Sequence, residues 1–545
     1  MKSIYTLLIF FIFFSLIGCS HKTSADRIFI NAKVYTLDPS FSTVEAFAIK
    51  GGRVLATGSS KEILKKYSSD SLTDLMGKVV YPGFIDAHCH FYGYGANLRE
   101  VNLVGSKSFE EVLDLVNAHS KAYPSVWIFG HGWDQNDWDD KTFPDKTKLD
   151  ILFPDTPVLL TRIDGHAALA NSKALELAGI NVNSIVEGGS VSIKDGKPNG
   201  ILIDNAISLV TKLKPIPAEK EIAEDLLRAQ KNCFAVGLTS VHDAGLDKNV
   251  IDVIKALNVA DSLRMRIYAM LTPSSENIDS FVRKGIYKTD YLNIRSVKLY
   301  ADGALGSRGA RMSSPYSDDS ANSGLWLTSP EKISEVSMLA DSFGYQVCTH
   351  CIGDEANHKV LEIYSKILNG KNDKRWRIEH AQVISLNDIK MFREFSIVPS
   401  IQPTHATSDM YWAEERLGMQ RMSGAYAYKS LLSQNGWIPC GSDFPVENIN
   451  PIYGFFAASM RKDQELMPKE GFHIDEALNR EEALRGMTIW AAKAAFEEHE
   501  KGSLEVGKFA DFVVCDKDLM TEPEQSIASV IVEQTWLGGK LVYRK

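Results

Sequence analysis

Two histidines stand one residue apart in "DAHCH", Asp86 to His90, directly after the apolar run "KVVYPGFI". On a strand, successive side chains alternate faces, so His88 and His90 would share one face while Cys89 points away. Two imidazoles in that arrangement can reach a single ion, although the same pair also fits a capped strand end. Four further residues each close an apolar run: Lys298 in "SVKLYADG", His350 in "CTHCIGDEA", His380 in "RIEHAQ" and Asp443 in "CGSDFPVE". Taken singly, each fits a satisfied core or capping residue. Six such residues at matching places on five runs point instead to a metal centre. Neutral imidazole and carboxylate are the ligands that zinc and similar ions take.

The elements that must position these residues alternate. Apolar runs with strand character are "VVYPGFIDAH", "GLTSVHD", "RMRIYAML", "RSVKLYAD", "YQVCTHCI", "RWRIEHA", "FSIVPSIQ" and "WIPCGSD". Helical stretches such as "SPEKISEVSMLADSFG" and "SLNDIKMFREF" separate several of them. Strands alternating with helices predict a parallel sheet, and eight such units predict a closed α/β barrel of the TIM type, (β/α)8. In that architecture, polar residues at the C-terminal ends of strands are where chemistry collects. The long interval from His90 to Gly237 carries its own β-like pieces, "SVWIFGHGW" and "PVLLTRIDGH", and reads as a subdomain inserted after the first barrel strand, about residues 97–235. At the chain ends, "EAFAIKGGRVLATG" and "SVIVEQTWLGGKLVYRK" each carry a Gly-Gly hairpin signal. They predict a small β-sandwich unit built from residues 20–82 and 499–545 around a barrel of 83–498.

Bulk properties narrow the class. The 545 residues are 44% hydrophobic and 24% charged, ordinary usage for a globular protein, with a net charge of −9 that offers no basic field for nucleic acid. The N-terminus differs: Lys2 precedes an uncharged apolar stretch from Ile4 to Gly18, short of the ~20 residues a spanning helix needs and laid out like a signal-peptide core. Its close, "LIGC", resembles a bacterial lipobox, which implies a lipoprotein signal segment over residues 1–19, with cleavage before Cys19 and acylation of that cysteine. An uncleaved anchor helix is the alternative. Either way the body is expected to be exported and tethered to a bacterial cell membrane, on its periplasmic side or at an outer membrane, a sorting that Ser20 would permit. The other six cysteines are scattered through strand-like segments and read as core thiols, Cys348 and Cys351 of "CTHC" included.

"DAHCHF", "GWDQNDW", "DGHAALANSKAL", "KLYADGALGSRGA", "HCIGDEAN", "RIEHAQ", "QPTHATSDMYW", "GSDFPVENINP" and the closing "GSLEVGKFADFVV" together resemble the amidohydrolase superfamily of metal-dependent hydrolases. The likeness is to the branch that includes N-substituted formamide deformylase, and it spans nearly the whole mature chain. It implies two divalent ions, zinc in the usual case. His88, His90 and Asp443 would hold one, His350 and His380 the other, and a carboxylated Lys298 would bridge them. An unmodified ammonium among cations is unfavourable, but burial lowers a lysine pKa, and a neutral amine adds CO2 to become an anionic carbamate. The implied reaction is attack of a metal-activated hydroxide on a non-peptide carbon–nitrogen bond of a small molecule, an amide, N-formyl or N-acyl group, with Asp443 as base and then acid. The same centre would serve an ester, lactone or phosphoester. A surface lipoprotein that binds without catalysis is a third reading, set against the intact ligand set.

Secondary candidates carry two readings each. His166 and His242 would polarise a substrate oxygen or make structural hydrogen bonds. Trp133 and Trp138 would wall a leaving-group pocket or pack a core. Asp302, Arg308 and Arg311 would shape the site or form a loop salt bridge. For the anchor the expected outcome is direct: mass spectrometry of the mature protein finds acylated Cys19 as the first residue, and an unmodified different N-terminus would overturn the lipoprotein reading.

Overall fold

The computed structural model describes residues 22–545; the leader and Cys19 lie outside the described residues. Seven parallel strands form the centre: β1 (Phe84–Cys89), β2 (Leu238–Leu246), β3 (Arg266–Leu271), β4 (Leu292–Tyr300), β5 (Gln346–Cys351), β6 (Arg377–His380) and β7 (Val398–Ser400). They are hydrogen-bonded in chain order, each to the next. The eighth expected strand, "WIPCGSD", is an irregular extended segment with a single ladder bridge, Ile401 to Cys440. It still fills the gap. Gly441 N donates to Ile401 O on one side, and Ala87 N to Cys440 O on the other. Asp443 breaks the regular strand with φ 63°, and its N–H is given to His88 O. The result is a nearly closed barrel.

Helices cover the barrel because their apolar residues recur at three- and four-residue spacing. Ile222, Leu226, Ala229 and Cys233 of the helix Glu219–Ala235 face the main core, as do Val360, Leu361, Tyr364 and Leu368 of the helix Asp354–Leu368. The expected strand "VVYPGFIDAH" is two strands. Val79–Pro82 joins a sheet made of both chain ends, between Phe512–Cys515 and Lys33–Tyr35, and only Phe84–Cys89 enters the barrel. Gly83 divides them, at a point where a Cβ would lie 2.3 Å from the Thr239 hydroxyl.

The two chain ends form a four-stranded and a six-stranded sheet. Both Gly-Gly pairs turn antiparallel hairpins with positive φ, Ala46–Lys50 with Arg53–Gly58 and Val532–Leu537 with Lys540–Arg544. Phe29, Phe47, Phe512 and Trp536 stack between the sheets, with ring centroids 4.9–5.4 Å apart. Between β1 and β2, residues 101–204 form a separate six-stranded mixed sheet around Leu103, Val116, Leu160 and Leu169. All cysteines among the described residues are free and buried. No helix among the described residues is long and apolar enough to cross a membrane.

One ion pair ties the terminal sheet to the barrel. Arg266, the first residue of β3, donates from Nε and Nη2 to the Asp511 carboxylate at 2.6 and 2.9 Å, while its guanidinium lies 3.8 Å over the Phe509 ring. Both partners are buried, so removing one strands the other without a counter-charge. Asp511→Ala is expected to lose about 3–5 kcal/mol of unfolding free energy in urea titration. A loss below about 1 kcal/mol would show the pair to be incidental.

Candidate active site

The chemistry-bearing residues converge where the barrel strands end. His88 is the penultimate residue of β1 and His90 follows it at the start of the helix Phe91–Asn97, so both reach the same carboxylate: Asp443 Oδ1 lies 3.5 Å from His88 Nε2 and 3.2 Å from His90 Nε2. Lys298, on β4 and 1% exposed, brings Nζ to 3.1 Å from His88 Nε2. His380 closes β6 with φ 72°, and its ring centroid lies 4.9 Å from that of His88 and 4.5 Å from that of His350. Positive φ at a bulky residue costs ~1–3 kcal/mol and persists where a site demands it. Two sets of donors lie within ligating range of one another, His88 with His90 and Asp443, and His380 with His405 and Asp443. Asp443 belongs to both.

His405 is absent from the sequence-derived set, and so is Glu447, one of the two carboxylates that hold it. It sits in the helix Pro403–Asp409 just past β7, with Nε2 3.4 Å from Asp443 Oδ2 and Nδ1 3.2 Å from Glu447 Oε1. Both ring nitrogens therefore face carboxylates. Burial acts to lower this imidazole, but Asp443 and Glu447 outweigh it and push it up to about 10. His405 thus braces Asp443 and also stands in the second donor group. The signal was available in "QPTHATSDMYW": β7 carries no chemical residue at its own end, and this is the next histidine along the chain.

A charge lies beneath the donors. Arg377 and Glu379, both on β6 and fully buried, pair at 2.6 Å between Nε and Oε1. Arg377 Nη2 also donates to Ala87 O and Ser400 Oγ, at 2.6 and 2.8 Å. Glu379 Oε2 in turn takes His88 Nδ1 at 2.5 Å. Burial acts to raise the Glu379 carboxyl, but Arg377 and His88 hold it well below the usual carboxylate range. His88 is thereby fixed with Nε2 free to face the site. Burial, and then the Lys298 amine, bring the His88 imidazole down to about 4, and burial keeps His350 and His380 neutral as well. Burial likewise lowers the Lys298 amine, against the pull of Glu379 and Asp443. It acts to raise the Asp443 carboxyl, but contacts with His405 and His90 hold that group well below its ordinary range.

The donor set fits a metal. Asp443 Oδ1 and His380 Nδ1 are buried without a hydrogen-bond partner of good geometry among the described residues. Converging imidazole nitrogens around one ionised carboxylate are what a divalent ion takes. His350 stands slightly apart, its Nε2 3.4 Å from Gly303 O and 3.6 Å from Asp302 Oδ1. Above the donors opens a cavity of about 620 Å³, whose far wall is supplied by the inserted sheet through His131, Asp134, Arg162, Asp164 and His166.

Of the secondary candidates, His166 alone lines this cavity. The others make their contacts outside it. Trp133 is 1% exposed inside the inserted sheet's core, its indole donating to Leu160 O, and Trp138 packs beside it. His242 is fully buried beneath the donors, with Nδ1 3.1 Å from Arg377. Arg308 pairs outward with Asp318 at 2.9 Å. Asp302 is buried and accepts the backbone N–H groups of Arg311, Ile352 and Gly353, so it fixes the loops around His350 rather than meeting a substrate.

The same fold recurs in known proteins. The model of the amidohydrolase family matches residues 71–543. The chain belongs to that family. This amidohydrolase is 35% identical to protein LONG AFTER FAR-RED 3 of Arabidopsis thaliana, over 95% of its own length and 92% of that protein's. It is 26% identical to N-substituted formamide deformylase of Arthrobacter pascens, with 95% and 98% covered. The crystal structure of a metal-dependent hydrolase from Pyrococcus horikoshii OT3 superposes with a TM-score of 0.74 at 27% identity, covering 91% of this chain and 99% of that one. The amidohydrolase is thus a metal-dependent hydrolase, as its sequence motifs imply.

Glu379 gives the sharpest test of the site. Glu379→Gln keeps the shape but removes the charge that orients His88, and is expected to weaken metal binding about 10- to 100-fold in chelator competition. Unchanged affinity would show that His88 needs no such partner.

Proposed function

We propose that this amidohydrolase cleaves the carbon–nitrogen bond of a non-peptide N-acyl or N-formyl amine. The observation that carries the reading is Asp443, one carboxylate shared by two groups of imidazoles at the floor of a cavity sized for a small molecule. The relative whose name states an N-formyl substrate supports that bond type. His88, His90 and Asp443 would hold one divalent ion, and His380 with His350 a second, zinc being the ion this nitrogen-rich set suits. Bound there, the ions supply Lewis acidity at the carbonyl oxygen and lower the pKa of a water. Lys298 joins the set as its carbamate, because burial favours the neutral amine that adds CO2, and a bare ammonium would oppose the ions.

The chain's own residues handle the protons. Asp443, held ionised, takes the proton from the attacking water and delivers it to the leaving nitrogen, so that the amine departs neutral. His405 keeps the Asp443 carboxylate aimed at the cavity. Export and a lipid anchor at Cys19 complete the proposal and rest on the leader sequence alone.

Matched probes test the bond. Turnover of p-nitroacetanilide alongside p-nitrophenyl acetate supports the amide reading, and turnover of the ester alone overturns it. Metal analysis is expected to find close to two divalent ions per chain, and fewer in His350→Ala. Lys298→Arg is expected to be inactive, since a guanidinium offers no bridging oxygens. Wild-type turnover in that variant would remove the carbamate.

A further inference from the structure

One pair on the inserted sheet is aimed at the barrel floor. His166 and Asp204 face each other across adjacent antiparallel strands, Ala167–Ala170 and Lys197–Asp204, with Asp204 N donating to His166 O. His166 Nδ1 meets Asp204 Oδ1 at 2.6 Å, and the Asp204 side chain is fully buried. The imidazole lines the cavity, and its centroid lies 5.2 Å from that of His350. Nε2 is the nitrogen left for something in the cavity.

Three features show that the chain accommodates this pair at a cost. Asp204 adopts φ 51°, ψ −126°, a conformation that L residues avoid unless the surroundings require it. Its Oδ2 is buried with no hydrogen-bond partner among the described residues. The barrel loop after β4 also leaves room for it. A Cβ on Gly303 would lie 2.6 Å from both carboxylate oxygens, and one on Gly309 would lie 2.5 Å from Oδ2. Two glycines of "ADGALGSRGA" are therefore the seat of a carboxylate contributed from about a hundred residues earlier in the chain.

We propose that His166, braced by Asp204, hydrogen-bonds the carbonyl oxygen of the bond being cleaved. It would be a catalytic residue carried by the inserted sheet, with Asp204 as its positioning residue. Asp204 holds Nδ1, which fixes the ring and leaves Nε2 as the nitrogen that meets a group in the cavity. Charge that develops on the oxygen in the transition state then meets a donor already in place. The inference rests on the hydrolase reading but does not require the bond to be an amide.

The full-length metal-loaded enzyme tests it with p-nitroacetanilide as substrate. His166→Leu is expected to lower kcat/KM about 100-fold, the typical effect of deleting one such donor, with metal content unchanged. His166→Gln, whose amide still donates, is expected to keep clearly more activity than the leucine variant. Gly303→Ala, which crowds Asp204 from outside the cavity, is expected to shift kcat/KM in the same direction with full metal occupancy. Acetohydroxamate, a carbonyl that chelates metal, is expected to bind His166→Leu about tenfold more weakly than the parent in calorimetry. Loss of metal in His166→Leu would make His166 a ligand and overturn the proposal. So would equal activity of the Gln and Leu variants, or wild-type kcat/KM in the latter. If only p-nitrophenyl acetate is turned over, the amide assignment falls on its own, and the same variants measured on the ester still decide the role of His166.

Discussion

A buried guanidinium holds the centre of this protein together. Arg377 touches the carbonyl of Ala87 on β1, His242 on β2, Glu379 on its own strand and the hydroxyl of Ser400 on β7. Taking a full charge out of water is tolerable only because its carboxylate partner and several acceptors surround it. The arrangement does more than satisfy Arg377. It spans the barrel's closing region, fixes Glu379, and through Glu379 sets the rotation of His88. An apolar floor of the same volume would pack as well but would leave His88 free to turn away from Asp443. The ion pair thus serves orientation, and stability follows from its being complete.

Above that floor, the site divides its work by origin. Barrel strands and the residues just beyond them supply the metal donors, because a rigid ladder fixes strand ends relative to one another. The inserted sheet supplies a wall of polar groups facing the donors, Arg162 among its carboxylates and His166 with Asp204. Loops that join the two, above all the segment after β4, are shaped by what they must accommodate. Asp302 gathers three backbone N–H groups there, and Gly303 and Gly309 leave space for Asp204.

The barrel and its donor-bearing strand ends are legible in the sequence because each is a local pattern: an apolar run followed by a polar residue, repeated around the chain. His88, His90, Lys298, His350, His380 and Asp443 all announce themselves in that way. His405 does not, since it lies within a helix and follows a strand whose own end is plain. Glu379 is hidden differently. It is one residue from a recognisable histidine, yet its charge points into a barrel that patterning says should be apolar. Asp204 is invisible because its partner His166 is reached only through strand pairing, and the glycines that admit it belong to another strand's loop. The last expected strand, "WIPCGSD", is extended but irregular, because Asp443 must turn its carboxylate towards two histidine groups at once. Trp133 and Trp138 take the packing one of their two readings, since large side chains near a site are still chiefly packing material.

The splitting of "VVYPGFIDAH" at Gly83 has a consequence for how the molecule is born. Val79–Pro82 emerges early in synthesis, but its sheet neighbour on one side is Phe512–Cys515, made almost at the end. Barrel closure has the same character, because β1 waits for the segment around Cys440. Folding therefore cannot run to completion from the N-terminus as the chain is made. An early strand, paired with Lys33–Tyr35 on one edge, must be carried with its other edge open through most of translation. Losing a few dozen residues from the far end would then strip Val79–Pro82 of one of its two neighbours. In this protein the first strands and the last are a single event in time.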